Sequence, residues 1–387
     1  MEGWQAKTLG EVCEVMNGGT PKTGVTEYWE GKHRWITPAE MGKRLSPYVA
    51  DTERKITDSG LRNSSAQMLP PHSVILSSRA PIGHLVINTE PMATNQGCKG
   101  LIPVEQLQHK FLYYYLSSIV DLLNSLGTGA TFKELSGGKL KEVAIPIPPL
   151  PEQQRIVGLL DEAFAGLATA KANSEKNLQN ARALFESHLH SVFSQGSQSA
   201  AEGRGPGWVE TTLEKISTNL DSKRVPITKN VRSSGEYPYY GASGIVDYVA
   251  DYIFEGDNLL VSEDGANLLA RSTPIAFSVS GKYWVNNHAH ILHFESMATQ
   301  RFAEFYLESI KLDEYITGAA QPKLNQKALN SIPIPIPKSV ETQAKIVESL
   351  ESLQEQTQRL ARLYERKLAA LEALKKSLLH QAFSGAL

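Results

Sequence analysis

Cysteine is nearly missing from this chain: among 387 residues only Cys13 and Cys98 occur, far apart and without CxxC spacing. That excludes a disulfide framework and a cysteine zinc site, and the expectation is two buried, reduced thiols. No window approaches the roughly 18 to 20 apolar residues that span a bilayer. The opening MEGWQAKTLGEV lacks the basic stretch and apolar run of a signal peptide, so a cytoplasmic location is expected. Positive excess is missing too: 39 Lys and Arg face 41 Asp and Glu, a net charge of −2. A polyanion would have to be met by local cations or by cations of a partner subunit. There is no GxxxxGK[ST] phosphate loop and no Asn-Pro-Pro or Asp-Pro-Pro tetrapeptide, so neither ATP hydrolysis nor amino-methyl transfer is expected here. The acid-x-Lys pattern of Glu53-Arg54-Lys55 recurs as Glu365-Arg366-Lys367 on a solvated helix, and carries no nuclease argument. His288, His290 and His293 are the best metal candidates. On a strand the third points away from the other two and no Asp or Cys is suitably near, so a hydrogen-bonded strand end is expected instead.

What is present is a chain written twice. Composition is ordinary for a globular protein, with 41% hydrophobic and 21% charged residues. Ile145-Pro146-Ile147-Pro148 returns 189 residues later as Ile334-Pro335-Ile336-Pro337, and at the same offset Gly129, Leu135 and Leu140 match Gly318, Leu324 and Leu329. After one inserted residue, Arg155-Ile156-Val157 matches Lys345-Ile346-Val347, and Leu178, Leu184, Leu189, His190, Phe193 and Ser194 match Leu368, Leu374, Leu379, His380, Phe383 and Ser384. Trp4 with Thr8-Leu9 resembles Trp208 with Thr212-Leu213. Matches in one order at a nearly constant offset imply duplication, hence equivalent surfaces that recur.

The run IPIPPLP holds the backbone extended and Pro151 suits a helix start, so a helix is expected from there to about Ser194. In the second copy Ile346, Leu350, Leu353, Leu360, Leu363, Leu371, Leu374 and Leu378 follow steps of three and four that skip Thr357 and Lys367, which predicts a coiled-coil seam. In the first copy Leu159, Leu160, Phe164, Leu167, Leu178, Leu184, Phe185 and Leu189 play that part. Helices of some 42 to 44 residues span roughly 65 Å and cannot leave an apolar stripe exposed. Packing the two antiparallel is the economical solution, and a seam with a partner chain is the alternative. His190 and His380 are expected at helix C-termini with the following Phe packed. Residues 194 to 207, SQGSQSAAEGRGPG, read as a flexible linker.

The halves between the helices read as mixed α/β, with strands at 73–76 and 258–261 and helices at 107–124 and 299–315. Their polar loops hold the residues that fit phosphates and base edges. In the first half these are Thr20, Lys22, Thr23, Lys32, Arg34, Ser78, Arg79, Asn95, Gln96 and Lys99; in the second, Lys223, Arg224, Tyr239, Tyr240, Ser243, Asn286, Asn287 and His288. Lys133 and Lys323 complete the two sets. Glu263 and Asp264 would serve only by accepting from a base amino group.

PIPPLPEQQRIV opening a long helix, its echo PIPIPKSVETQAKIV, the terminal LLHQAFSG and the opening Trp-x-x-x-Thr-Leu together resemble specificity subunits of Type I restriction-modification systems, over essentially the whole chain. GGTPKT with Tyr28-Trp29 and Trp35-Ile36-Thr37-Pro38 looks like one type of target-recognition domain; PYYGASGIVDY with SEDGA, NNHAHIL and GAAQPKLN looks like another. The resemblance implies an α/β (mixed) fold of two target-recognition domains, 1–150 and 208–338, joined by two long antiparallel coiled-coil helices, 151–195 and 339–387, with a linker at 196–207. It implies a non-catalytic chain binding a bipartite asymmetric double-stranded DNA site, each domain reading one half. It also implies two modification (methyltransferase) subunits that carry S-adenosylmethionine, and restriction subunits that join for cleavage. The second copy has SVETQAK where the first has LPEQQR, so the two docking surfaces need not be equivalent. A coiled-coil interaction scaffold without DNA recognition is the other reading, and salt-dependent, sequence-selective DNA binding in the presence of the modification partner separates the two.

Overall fold

The computed structural model describes residues 3–129, 133–202, 207–318 and 320–387. It divides into two compact units, one of Met1–Ser174 with Arg366–Leu387 and one of Glu175–Glu365.

In the first unit the apolar run at 74–76 becomes the strand Val74–Ser78 near the middle of a five-stranded sheet. A continuous apolar run suits a strand covered on both faces. Val74 and Leu76 point toward Phe111, Leu112 and Leu116 of the helix His109–Ser118. Ile75 points the other way, to Ile36, Met41, Val86 and Met92. The three-stranded companion sheet holds Trp29–Ile36 between Arg54–Ile56 and Met92–Thr94, the last pair parallel. In the second unit Asn258–Ser262 repeats the plan, with Leu259 and Val261 in one apolar cluster and Leu260 in the other. Its companion sheet also contains a parallel pair, Tyr239 beside Trp284 and Tyr240 beside Val285. The expected helices appear as His109–Ser118 and Val120–Leu126, and as Met297–Ser309 with a short 3-10 turn at Asp313–Tyr315.

The proline-rich repeats are edge strands, the place in a sheet that tolerates a missing N–H. Ala144–Ile147 pairs antiparallel with Gln5–Thr8, and Pro333–Pro337 pairs with Trp208–Thr212. Ile334 and Ile336 are buried in the core, and Pro335 and Pro337 are buried beside them. The Trp-x-x-x-Thr-Leu openings and the IPIP closings are therefore the two partners of one ribbon, made twice.

The long helices run Leu150–Glu202 and Val340–Ser384. They pack on each other antiparallel inside the chain. In the first unit Arg155 donates to the Leu387 carbonyl at 2.8 Å and Lys171 meets Glu372 at 2.9 Å; in the second Arg182 meets Glu365 at 2.8 Å. Three expectations are corrected. The linker does not begin at 194 or 196: the first helix continues to Glu202, and residues 203–206 lie outside the described ones, as does Ala319 of GAAQPKLN. His190 consequently sits within the helix rather than at its end, although Phe193 does pack on Phe302 and Tyr306, as Phe383 packs on Phe111 and Tyr115. The seam keeps Leu350 of the expected line but otherwise departs from it. Leu360, Leu363 and Leu374 are 41%, 49% and 47% exposed, and Leu159 and Leu184 are exposed as well. The buried line runs through Val347, Leu350 and Thr357, and on the first helix through Ser174, Ala181 and Leu189. Small residues occupy its middle, where the Ser174 and Thr357 hydroxyls donate to carbonyls of their own helices.

Candidate nucleic-acid interface

The donor-rich turn of the first unit is anchored by its tryptophans. The Trp35 indole N–H donates to the Gly19 carbonyl at 2.9 Å and the Trp29 indole N–H to the Lys22 carbonyl at 3.3 Å. Gly18 and Gly19 are required by close approach: a Cβ on Gly18 would lie 2.0 Å from the Asn95 carbonyl oxygen, and one on Gly19 would lie 2.2 Å from the Ala66 nitrogen. The Thr20 hydroxyl then meets both the Gln96 side chain and, at 3.1 Å, the Asn95 amide. So the turn at 18–23 and the loop at 95–97, distant in sequence, form one surface. Arg79 packs against Gly97 and reaches Glu134 at 3.8 Å; Lys133 is the exposed neighbour of Glu134.

The second unit builds the same frame bond for bond. Asn95 N–H donates to the Ile36 carbonyl at 2.9 Å, and Asn286 N–H to the Tyr240 carbonyl at 3.0 Å. Gly97 N–H donates to Asn95 Oδ1 at 2.7 Å, and His288 N–H to Asn286 Oδ1 at 2.8 Å. Ser78 N–H donates to the Gly97 carbonyl and Glu263 N–H to the His288 carbonyl; Leu135 N–H donates to Ser78 and Leu324 N–H to Glu263. Finally, Arg79 bridges Glu134 as Asp264 bridges Lys323. Asx turns of this kind fix a loop through its own side chain. Duplication thus extends into the globular halves, where the sequences share little.

Individual expectations fare unevenly. Lys22, Thr23, Gln96, Lys133, Lys223, Ser243, Asn287, His288 and Lys323 are exposed, and Thr20, Asn95, Arg79 and Tyr240 are half-buried beside them. Lys32 and Arg34 lie on the neighbouring strand but are already paired, Lys32 with Asp58 at 3.0 Å and Arg34 with Asp51 at 3.4 Å. Ser78 and Tyr239 are corrected: both are fully buried, Ser78 as a frame residue and Tyr239 under the guanidinium of Arg232. Lys99 and Asn286 are also buried; burial pushes the Lys99 ammonium below its ordinary range, against the pull of Glu134, and Asn286 spends its side chain on the turn.

Arg224 belongs to a buried ionic network. Its guanidinium donates to Glu263 at 2.7 Å and to the Ala289 carbonyl at 2.8 Å, while Lys323 meets the other Glu263 oxygen at 3.1 Å. His290 Nδ1 lies 2.5 Å from Asp221 and its Nε2 lies 2.7 Å from the Leu324 carbonyl. Both ring nitrogens are thereby engaged. Burial raises the Asp221 and Glu263 carboxyls, yet the hydrogen bonds and charges of His290 and Arg224 outweigh it and hold both below their ordinary range. Asp221, Glu263 and His290 have the spacing of a metal cluster. With Arg224 and Lys323 already on the carboxylates and both His290 nitrogens engaged, the group is a closed ion network. The sequence expectation that no Asp lies near the histidines is corrected by Asp221, which is 69 residues away in the chain.

Residues the sequence reading passed over include Gln153 and Gln343, one repeat apart and both buried. Gln153 donates to the Gln106 and Pro148 carbonyls at 2.9 Å and accepts from Gln108 N–H; Gln343 donates to Pro337 at 2.7 Å and accepts from Thr299. Each ties a long-helix start to its globular half, and the repeat offset was the signal. Arg54, exposed and stacked 3.8 Å over Trp29, had no such signal. Cys13 and Cys98 are free and buried, and burial pushes both thiols up to about 12. No helix among the described residues is long and apolar enough to cross a membrane.

Comparison with known proteins agrees with this geometry. The family model described as Type I restriction modification DNA specificity domain matches twice, over residues 1–179 and 206–369. The specificity subunit of the Type I restriction enzyme MjaIX from Methanocaldococcus jannaschii is 38% identical over 320 residues, 80% of this chain and 73% of that one. The EcoprrI specificity subunit from Escherichia coli is 23% identical over 355 residues, 89% of this chain and 86% of that one. Among solved structures, a chain from work on complex assembly and conformational transition of the type I R-M system superposes with a TM-score of 0.79 at 18% identity, covering 100% of this chain and 99% of that one. The HsdS subunit of Thermoanaerobacter tengcongensis gives 0.64 at 17% identity, covering 100% and 98%. The chain belongs to the family of DNA specificity subunits of Type I restriction-modification systems.

Proposed function

We propose that each unit reads one half of a bipartite, asymmetric double-stranded DNA site, and that the paired helices set the gap between the halves. The observation that carries this reading is the frame made twice with different side chains on it: equivalent loops suit equivalent places on two half-sites, and unlike side chains suit unlike bases. Exposed Lys22 and Lys133 in one unit and Lys223 in the other supply local positive charge that the overall composition lacks, beside half-buried Arg79 and exposed Lys323, which are paired with Glu134 and Glu263. Thr20, Thr23, Asn95, Gln96, Tyr240, Ser243, Asn287 and His288 supply the neutral donors and acceptors. Chemistry is assigned elsewhere: two modification subunits holding S-adenosylmethionine dock on this chain, which itself is non-catalytic, and restriction subunits join for cleavage. Sequencing of methylated adenines in strains with and without the gene tests this. An interrupted two-part motif that vanishes with the gene is the expected result; no gene-dependent motif, or an uninterrupted one, overturns it.

A further inference from the structure

The repeated frame singles out positions at which the backbone is held identically and the side chain is not. In the first unit these are Arg79, Gln96 and Glu134; their counterparts in the second are Asp264, Asn287 and Lys323. The charges are inverted across the pair: a cation at the strand end bridged to an anion becomes an anion at the strand end bridged to a cation. We propose that these three positions in each unit are base-reading, specificity-determining positions, and that the inversion makes the two half-sites present opposite groups there.

The chemistry follows from the atoms. Arg79 is about one-third exposed, and its guanidinium can donate in fork geometry to the O6 and N7 of guanine. Asp264 at the equivalent place can only accept, so it suits the amino group of cytosine or adenine; His288 Nδ1, 2.8 Å away, holds its carboxylate in position. Gln96 and Asn287 stand at the tips of matching Asx turns, both exposed, and offer the amide that pairs with adenine N6 and N7. The Gln96 side chain also accepts from the Thr20 hydroxyl, but no side chain at these positions carries one of the repeated frame bonds, so substitution leaves those bonds in place. Ser78 and Asn286, in contrast, are buried and hold the frame itself.

This inference rests on the DNA-reading function proposed above, and the test separates the two. The full chain is assembled with its modification subunits, and methylated motifs are sequenced for wild type, for R79D combined with E134K, and for N287A. Wild type must give a two-part motif; if it does not, the DNA-reading function falls. Given that motif, the R79D/E134K double variant should change the preferred base at one or more positions of the first half-site, by roughly ten- to a hundredfold in methylation efficiency, with the second half-site unaltered. N287A should relax the second half-site alone. Should the double variant melt early, Q96A, a substitution at an exposed loop tip, replaces it for the first half-site. Unchanged preferences with full activity, or an equal loss at every base of both half-sites, would overturn the assignment.

Discussion

At the scale of single residues, the cations expected at the DNA surface fall into two electrostatic classes. Lys22 is exposed and meets no ion-pair partner among the described residues, whereas the Lys32 ammonium already sits 3.0 Å from Asp58. K22A should therefore lower the slope of log affinity against log salt by about one contact's worth, and K32A should alter it much less. Titrating DNA into the assembled complex at several salt concentrations distinguishes the two, and equal slopes would contradict the pairing argument. The buried network predicts a pH dependence. The folded Asp221 and Glu263 carboxyls lie below their ordinary values, so their contribution is present above the unfolded range of about 4 and is lost as pH falls through the folded values. Denaturation midpoints taken from pH 6 down to pH 3 should drop, and R224M should already be destabilised at neutral pH, by about 3 to 5 kcal/mol, because it strands Glu263 and Asp221 without their guanidinium. A neutral-pH midpoint equal to wild type would show that the network is dispensable.

At the scale of elements, the seam of the second long helix shows why periodicity alone misplaces a contact line. Steps of three and four through the leucines lead to Leu360 and Leu363, yet Thr357 is 5% exposed and both of those leucines face out. A heptad pattern specifies a stripe, and its phase is set by what the stripe packs against; the buried positions here include small residues, Thr357 on this helix and Ser174 and Ala181 on the other. L350D should accordingly cost on the order of 3 kcal/mol or more, since it buries a charge without a partner, while L360D should stay within about 0.5 kcal/mol. Urea denaturation of the two variants checks this, and equal losses would restore the leucine line. The glutamines at the helix starts make a companion case. Q153A and Q343A each leave buried carbonyl groups without a donor and should cost about 1 to 3 kcal/mol apiece, more than a typical surface change on the same helix.

At the scale of the whole molecule, the helices are expected to work as a ruler. Lys171 lies against Glu372, so four residues inserted after Ala170 are matched by four inserted after Leu371, which keeps the apolar faces nearly in phase. The added rise is about 6 Å, or one to two base pairs. Motif sequencing should return the same half-sites with a gap longer by one or two base pairs; altered half-sites, or an unaltered gap at full activity, would show that the helices do not set the spacing.

Much of this organisation was legible in the chain because it is written in local chemistry. Prolines fix φ, so IPIP marks an extended run and Pro151 marks a helix start wherever they fall; a repeat at a constant offset needs no folding to be seen; and a continuous apolar run at 74–76 has few places to go but a covered strand. The converging loops were legible only as separate polar stretches. Thr20 meets Asn95 across 75 residues, and His290 meets Asp221 across 69. Such partners are chosen by strand pairing, which no spacing rule encodes. Burial was decided at the same level: Ser78, Tyr239 and Lys99 have the right side chains for DNA, but the sheets that form around them turn two inward completely and cover the third. The sequence by itself determined that there are two halves, two long helices and where each begins. Only the tertiary structure decided which loops meet and which side chains stay in water, because those follow from pairing between segments far apart along the chain.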